Sequence, residues 1–518
     1  MKKITYITML LIAGVLVSCS DFLTEGSPDQ LTSDSFWRDQ EDAESGIAAA
    51  YSQLEYSINT WDFAEVKWPV EAYREDIVIL GNDAMNYPNW VELANFSYTN
   101  GNSQFSSYWW NNYKGISFSN QVLEKTAVIP EGKIDETIRK QIINEAHFLR
   151  AYYHLKVILN WEDIIVHDKY ITSQEDLAKP LTLRADAWEF IIGDLIAATE
   201  LPQSYDTDNV GRATSGAAYA YLGFAYLTCA YEQPSRKAEL LDKAIKAFDQ
   251  VKGYELVKNF RSMFSGENKN SKESIFELQF SMGTANGADY RTQAHKWIAC
   301  SELGGWDEIL PSKILVDAFQ SEGMIATTGF YDSRFAQTMF CKLDYFNDGT
   351  GKVYGYDYKD LFKRDEVDSQ GNPTGKVIYY DRPVFHKLLP GTIEGLTANY
   401  SAVNVPLMRY ANVLLMKAEA LNELGKSAEA IPLINQVREI HGDMPPMKGS
   451  SQEDVRKQIE HERMIEFPLE NWRWYDLRRW GKLGEAMKKA GRPGFQLDKH
   501  AFYPIPLTEI NANGLIDK

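Results

Sequence analysis

The chain of 518 residues is 44% apolar and 13% aromatic, which fills a large core and excludes global disorder. A formal net charge of −18, with no Lys/Arg-rich run, excludes nucleic acid and anionic lipid headgroups as partners held by charge. Apart from Cys19, the cysteines Cys229, Cys300 and Cys341 are odd in number and widely spaced, which argues against a disulfide framework; one bridge stays open, and three buried thiols are expected.

In chain order, Lys2 and Lys3 precede an apolar run from Ile4 to Val17, which leads into Ser18-Cys19. A basic end, a short hydrophobic stretch and a small-residue junction read as a bacterial secretory signal over residues 1–18. The run is too short for a good membrane-spanning helix. Cys19, directly after Leu-Val-Ser, resembles the cysteine of a lipoprotein box and is the expected lipidation site. Several acyl chains there would anchor the protein stably at a membrane surface. Removing Lys2 and Lys3 takes the net charge from −18 to −20. Residues 20–35 are polar with Gly and Pro, so 19–40 is expected as a lipidated tether.

Helical spacing then predicts helices over Asp42–Tyr56, Tyr108–Glu124, Ile138–Asn160, Ala187–Thr199, Ser215–Tyr231 and Leu240–Lys252. Between about 253 and 405 the chain turns rich in Gly, Tyr, Asp and Asn, with strand-like runs at Ser274–Phe280 and Val377–Tyr380. Helical signals resume at Leu407–Leu424, Ala428–Ile440 and Glu453–Phe467. Tyr219-x2-Leu222-Gly223-x2-Tyr226 with Ala244-x3-Phe248 fits a tetratricopeptide repeat, and Ala418, Leu421, Gly425 and Ala430 repeat its offsets. Such helix pairs bury their faces only by stacking, so a curved scaffold is expected.

No catalytic motif stands out. The sequence has no His-Glu-x-x-His, Gly-x-Ser-x-Gly, phosphate-cradling Gly-x4-Gly-Lys-Ser/Thr or Cys-x-x-Cys. The eight histidines are scattered, and His154 and His167 near Asp163 and Asp168 read as a helix-end cluster rather than a metal site. The two carboxylates of a retaining glycosidase need no local spacing, so the residues alone leave that reading open. Asp-rich Asp344–Asp348 could hold an ion but lacks EF-hand spacing, so structural calcium stays open, while no metal site or cofactor is otherwise expected. The densest constellation runs from Glu462 to Gly481, with Glu462, Glu466 and Glu470 at i, i+4 spacing ahead of Trp472, Trp474 and Trp480. Pro468 predicts a helix break near Phe467. Arg463 and Arg473 are expected to pair with these carboxylates and with Asp476, as an ion-pair cluster under aromatic rings rather than a ligand site.

Glu462-Arg463, Glu466-Phe467 and Trp472-Arg473-Trp474-x-Asp476-Leu477-x2-Trp480-Gly481 resemble the C-terminal signature of the SusD/RagB family. Further pieces of that pattern lie in order along the chain. They include Cys19-Ser-Asp-Phe-Leu, Trp110-x2-Tyr113-x2-Ile116-x3-Asn120, Glu145 to Tyr153, Pro406 to Ala411, Asn435-x2-Arg438 and Tyr503-Pro504-Ile505-Pro506. The resemblance implies a mainly α, SusD-like fold: a tetratricopeptide-like helix-pair superhelix with a loop-rich, partly β middle segment. Helical regions are expected at 41–255 and 406–518, with a ligand-facing segment at 256–405. It also implies a non-catalytic outer-membrane lipoprotein of nutrient uptake that passes glycans to a SusC-like TonB-dependent transporter. The alternative for this scaffold is oligopeptide capture, as in RagB-type members.

A glycan surface needs exposed rings beside polar groups, and loop aromatics supply them best. Trp90, with Tyr87 and Asn89, is the first candidate, in a polar segment ahead of the Trp110 helix. Tyr290 and Trp297 flank polar residues in the middle segment, and Trp306 follows Gly304-Gly305. Tyr354 and Tyr356, with Tyr358, alternate at period two and would share one face of a strand. Trp61 and Trp68 are weaker candidates. Trp109, Trp110, Trp161, Trp188, Trp472, Trp474 and Trp480 lie in helical stretches and are expected in the core.

Overall fold

The structure is a computed structural model that describes residues 36–55, 67–173, 176–283, 290–347 and 351–516. The signal segment, Cys19, most of the tether, Trp61 and Asp348 lie outside the described residues. The principal helices on the N-terminal side are α1 (Gln40–Ser52), α2 (Pro88–Asn95), α3 (Ser103–Ala127), α4 (Glu136–Ile158), α5 (Arg184–Ala198), α6 (Ser215–Glu232) and α7 (Lys237–Phe248). The middle segment carries α8 (Lys313–Gln320) and the short α9 (Arg334–Thr338). The C-terminal side adds α10 (Tyr410–Glu423), α11 (Ser427–Gly442), α12 (Gln452–Glu466) and α13 (Arg473–Arg479).

Local chemistry fixes where these helices begin and end. Asn102 caps α3 by accepting the Gln104 N–H, and Asp135 caps α4 by accepting from Thr137 and Ile138. Ser451 and Asp454 form a reciprocal capping box on α12, which stops at Glu466, ahead of Pro468 as expected. Packing follows chain order: α3 on α4, α4 on α5, α5 on α6, α6 on α7. Across the middle segment α7 packs on α10, and α10 packs on α11 and α12. The superhelix is thus continuous in space although its sequence is interrupted.

The repeat motif works through its glycine. A Cβ on Gly223 would lie 2.4 Å from the Phe248 ring, so only glycine lets α6 and α7 approach this closely. Gly115 on α3 does the same beneath the Tyr153 ring of α4, at 2.6 Å. Tyr221, Leu222 and Phe224 on α6 are buried around the Gly223 contact.

The strands among the described residues form two-stranded antiparallel sheets. β1 (Val78–Leu80) pairs with β3 (Ile309–Pro311), with Ile79 opposite Leu310. β2 (Ser274–Leu278) pairs with β8 (Val405–Arg409), which ties the two ends of the middle segment together where it leaves and rejoins the superhelix. β4 (Met339–Phe340) pairs with β7 (Val384–Phe385), and β5 (Lys363–Val367) with β6 (Pro373–Tyr379). The helix expected to start at Leu407 starts instead at Tyr410. Val405 to Arg409 are all buried, and their backbone pairs with β2 before the helix begins.

Trp161, Trp188 and Trp474 are fully enclosed, and Trp109 and Trp472 nearly so. Trp110 departs from expectation: it is 60% exposed on the outer face of α3, with the Lys114 ammonium 5.1 Å from its ring. Trp68 is buried, and Trp480 half-buried. Cys229, Cys300 and Cys341 are free and buried, as expected. No helix among the described residues is long and apolar enough to cross a membrane.

Candidate functional site

Pro88 opens α2, so the segment read as a loop around Trp90 is helical and turns that ring inward. Trp90 is only 4% exposed, and Trp297 only 1%. The rings build a column. Tyr87 stacks on Trp90 at 4.1 Å, Trp90 meets the Trp297 ring at 6.1 Å, and Trp297 leans on Trp68 at 4.8 Å. Tyr87, at 43% exposure, is the ring of this column that faces solvent. Trp90 and Trp297 are therefore supports under a Tyr87 platform, not open stacking faces. Asn89 is half-buried, and its amide donates to Ser103 Oγ at 2.7 Å, which ties α2 to the start of α3.

The remaining candidates fall in different places. Trp306 is half-buried, and its backbone N–H donates to the Lys296 carbonyl at 2.7 Å, alongside the segment that carries Trp297. Tyr290 is exposed, and its carbonyl accepts from the Ser281 N–H. Tyr354, Tyr356 and Tyr358 do not share a strand face. Tyr354 takes a left-handed backbone (φ 49), Gly355 follows at φ 93, and a Val353–Tyr356 bridge closes the turn. Tyr354 then points inward, its hydroxyl donating to the Pro390 carbonyl at 2.6 Å, while Tyr356 is exposed and Tyr358 is buried.

Beside Trp306 lies a polar group that its scattered sequence positions conceal. Arg382 donates to both oxygens of Glu302, at 2.9 and 2.8 Å, and to Asp307. The Tyr380 hydroxyl donates to Glu302 at 2.8 Å, and the Arg364 guanidinium sits 5.5 Å from the Tyr380 ring. Burial pushes the Glu302 carboxyl up, but the Tyr380 hydroxyl and the Arg382 charge outweigh it and hold the acid below its ordinary range. A carboxylate held ionised in this way offers no proton for acid catalysis, yet accepts hydrogen bonds from hydroxyls.

Tyr73 links this group to the ring column. Its ring lies 6.0 Å from Trp90 and 5.6 Å from Trp297, and its hydroxyl donates at 3.2 Å to the carbonyl of Glu308, the neighbour of Asp307. Gly81 permits the close seat of the same loop beside β1, because a Cβ there would lie 1.7 Å from the Asp307 carbonyl oxygen. Tyr380, Glu302 and Arg382 beside Trp306 combine ring faces with directional donors and acceptors, a chemistry suited to a hydroxylated ligand, and Tyr87 is a further exposed ring.

The core of the acidic C-terminal constellation, around Glu466, is sealed from solvent. Glu466 accepts from Arg334 at 2.9 Å, from Arg409 at 2.9 Å and from His441 at 3.0 Å, and all four side chains have 0% exposure. His441 also donates to Glu273 at 2.9 Å. Burial lowers the imidazole, but the Glu273 and Glu466 carboxylates together raise it to about 9. With both ring nitrogens donating, the Glu273–His441–Glu466 triad keeps no imidazole lone pair to ligate a metal. Glu462 pairs with Arg334 and Arg438, and Arg463 reaches Asp476 at 2.7 Å as expected. Arg473 differs from expectation: it bonds Asp76 at 2.9 Å, pinning the C-terminal signature to the N-terminal region.

Two family profiles match the chain. One, described as the SusD family, matches residues 272–518, and one described as starch-binding associating with outer membrane matches residues 21–227. SusD-like protein P2 of Formosa agariphila is 27% identical, over 99% of this chain and 97% of its own length. A SusD superfamily protein from Bacteroides vulgatus superposes with a TM-score of 0.77 at 24% identity, covering 93% of this chain and 99% of its own. A laminarin-binding SusD-like protein superposes with a TM-score of 0.71 at 21% identity, covering 93% and 99%. Matched on both flanks by these profiles and end to end by these relatives, the chain belongs to the SusD/RagB family.

Proposed function

We propose that this protein captures neutral glycans at the outer surface of the cell and hands them to a SusC-like TonB-dependent transporter, breaking no bond itself. The observation that carries the reading is the exposed Tyr87 ring stacked on Trp90, with Tyr73 running from Trp90 to the Asp307–Glu308 loop that Arg382 and Glu302 share. A pyranose stacks its C–H face on such a ring while its hydroxyls reach carboxylate and guanidinium groups. The net charge of −18 disfavours acidic polysaccharides and leaves neutral ones admissible. One structural relative is described as laminarin binding and one matching family as starch-binding, which supports glycan over oligopeptide capture without naming this chain's linkage.

Acylation of Cys19 anchors the protein in the outer membrane through the polar tether, so the capture face stands beside its transporter. Uptake of a fluorescent glycan by the native cell tests the whole chain of events. Loss of uptake on deleting the protein, and again with Cys19→Ala, is the expected result. Undiminished uptake in both strains across neutral glycans contradicts the proposal.

A further inference from the structure

A cavity of about 680 Å³ opens on the middle segment, lined by none of the residues around Tyr87, between α8, α9, the turn at Phe330 and the short helix Asp344–Asn347 that carries Tyr345. Its size lies within the roughly 300–1,000 Å³ of small-molecule sites. Phe330 forms one wall and is 44% exposed, although it is a large apolar ring. Tyr345 meets it nearly at right angles, 5.7 Å away at 84°. Two ring walls at this angle offer one stacking face and one edge to a flat, hydroxylated guest.

The turn that carries Phe330 is built, not loose. Ile325 N–H donates to the Phe330 carbonyl at 2.7 Å, and Gly329 N–H donates to the Ile325 carbonyl at 2.8 Å. Gly329 sits at φ 72, a left-handed conformation that glycine adopts freely. The floor is equally fixed. It is formed by α9, whose Arg334 is clamped to Asp332, Glu462 and Glu466 at 2.6 to 2.9 Å with no exposure. The buried signature cluster therefore has a consequence at the surface, since it locks the cavity floor. Preorganised walls and floor reduce the ordering cost of binding.

The polar lining fits a neutral guest. Gln320, Thr328 and Gln337 supply uncharged groups, and the exposed charges of the lining, Lys342 and Asp443, are opposite in sign. The cavity is also joined to the glycan face along the chain. Lys342 N–H donates to Asp381, and the next residue, Arg382, bonds Glu302 and Asp307 beside Trp306.

Resting on the proposed function, we infer that the Phe330–Tyr345 cavity is a second glycan subsite. It binds a further stretch of the same neutral polysaccharide that occupies the Tyr87 face. Two linked subsites raise affinity for long chains far more than for short ones, because the second contact becomes intramolecular.

Affinity electrophoresis and titration calorimetry test this with laminarin, starch, xylan and galactomannan and with hexasaccharides of each. Phe330→Ala opens the cavity, and Thr328→Trp fills it from an exposed position, so one variant covers a folding defect in the other. The expected result is that both variants bind the recognised polysaccharide about tenfold more weakly, lose far less for its hexasaccharide, and melt with the wild type. Polysaccharide binding equal to wild type in both variants overturns the second subsite and leaves the proposed function standing. Wild-type protein that binds none of the glycans overturns both. Retention of casein-derived peptides in place of glycans, abolished by Phe330→Ala, also overturns the inference by making the cavity a peptide site.

Discussion

Arg409 and Glu466 meet at 2.9 Å with neither side chain exposed to solvent. The contact joins β8, the strand that ends the middle segment, to the signature helix α12. Arg409 also bonds Glu273 at 2.5 Å and Glu470 at 2.8 Å, so one guanidinium bridges three buried carboxylates. Removing it leaves those charges desolvated and short of a partner. Arg409→Ala is expected to lower stability by about 3–5 kcal/mol, read from urea unfolding. A loss near zero would mean that water enters the cluster.

His441 gives the cluster a pH dependence with a definite sign. Its folded pKa is raised, to about 9, above the ordinary 6.5, so the protonated ring stabilises the native state fully below about pH 6.5. That contribution fades as pH rises through 9. The melting temperature is therefore expected to fall between pH 7 and about pH 9.5, and His441→Gln to flatten that fall. A profile unchanged by His441→Gln would assign the alkaline loss to other groups.

Gly223 tests the close approach of α6 and α7. Because a Cβ would lie 2.4 Å from the Phe248 ring, Gly223→Ala is expected to cost about 1–3 kcal/mol despite the better helix propensity of alanine. The same substitution in a Phe248→Leu background is expected to cost less, since the smaller side chain can yield. Equal costs in both backgrounds, measured by urea unfolding, would show that the pair is not in contact.

Tyr380 tests the polar side of the proposed glycan face. Tyr380→Phe removes the hydroxyl that bonds Glu302 at 2.8 Å and keeps the ring. Glycan affinity is expected to fall by about 0.5–1.5 kcal/mol in calorimetry, with the melting temperature little changed. Unaltered affinity would place the ligand elsewhere on the surface.

The flanking helices are legible in the sequence because their burial is one-sided and periodic, and the Gly223 motif because small residues mark close approach. The signature cluster is legible as a group of acids, but most of its counter-ions are not. Arg334, Arg409 and His441 arrive from other segments, and no local spacing links them to Glu466. The loop aromatics are the least legible part. Whether a tryptophan is a platform or a support depends on what packs over it, and Trp90 and Trp297 cover each other from distant parts of the chain. Trp110 shows the converse, a helix residue left on the outer face. The Glu302–Tyr380–Arg382 group carries no sequence signal, because its members are common residue types brought together only by the folded middle segment.

The most direct test of glycan capture is binding of the soluble form, residues 20–518, to laminarin, starch, xylan and galactomannan, with Tyr87→Ala beside the wild type. The expected result is retention by one neutral linkage class, weakened about fivefold to tenfold by loss of the Tyr87 ring. Absence of binding to every neutral glycan, or binding that Tyr87→Ala leaves unchanged, would contradict the account.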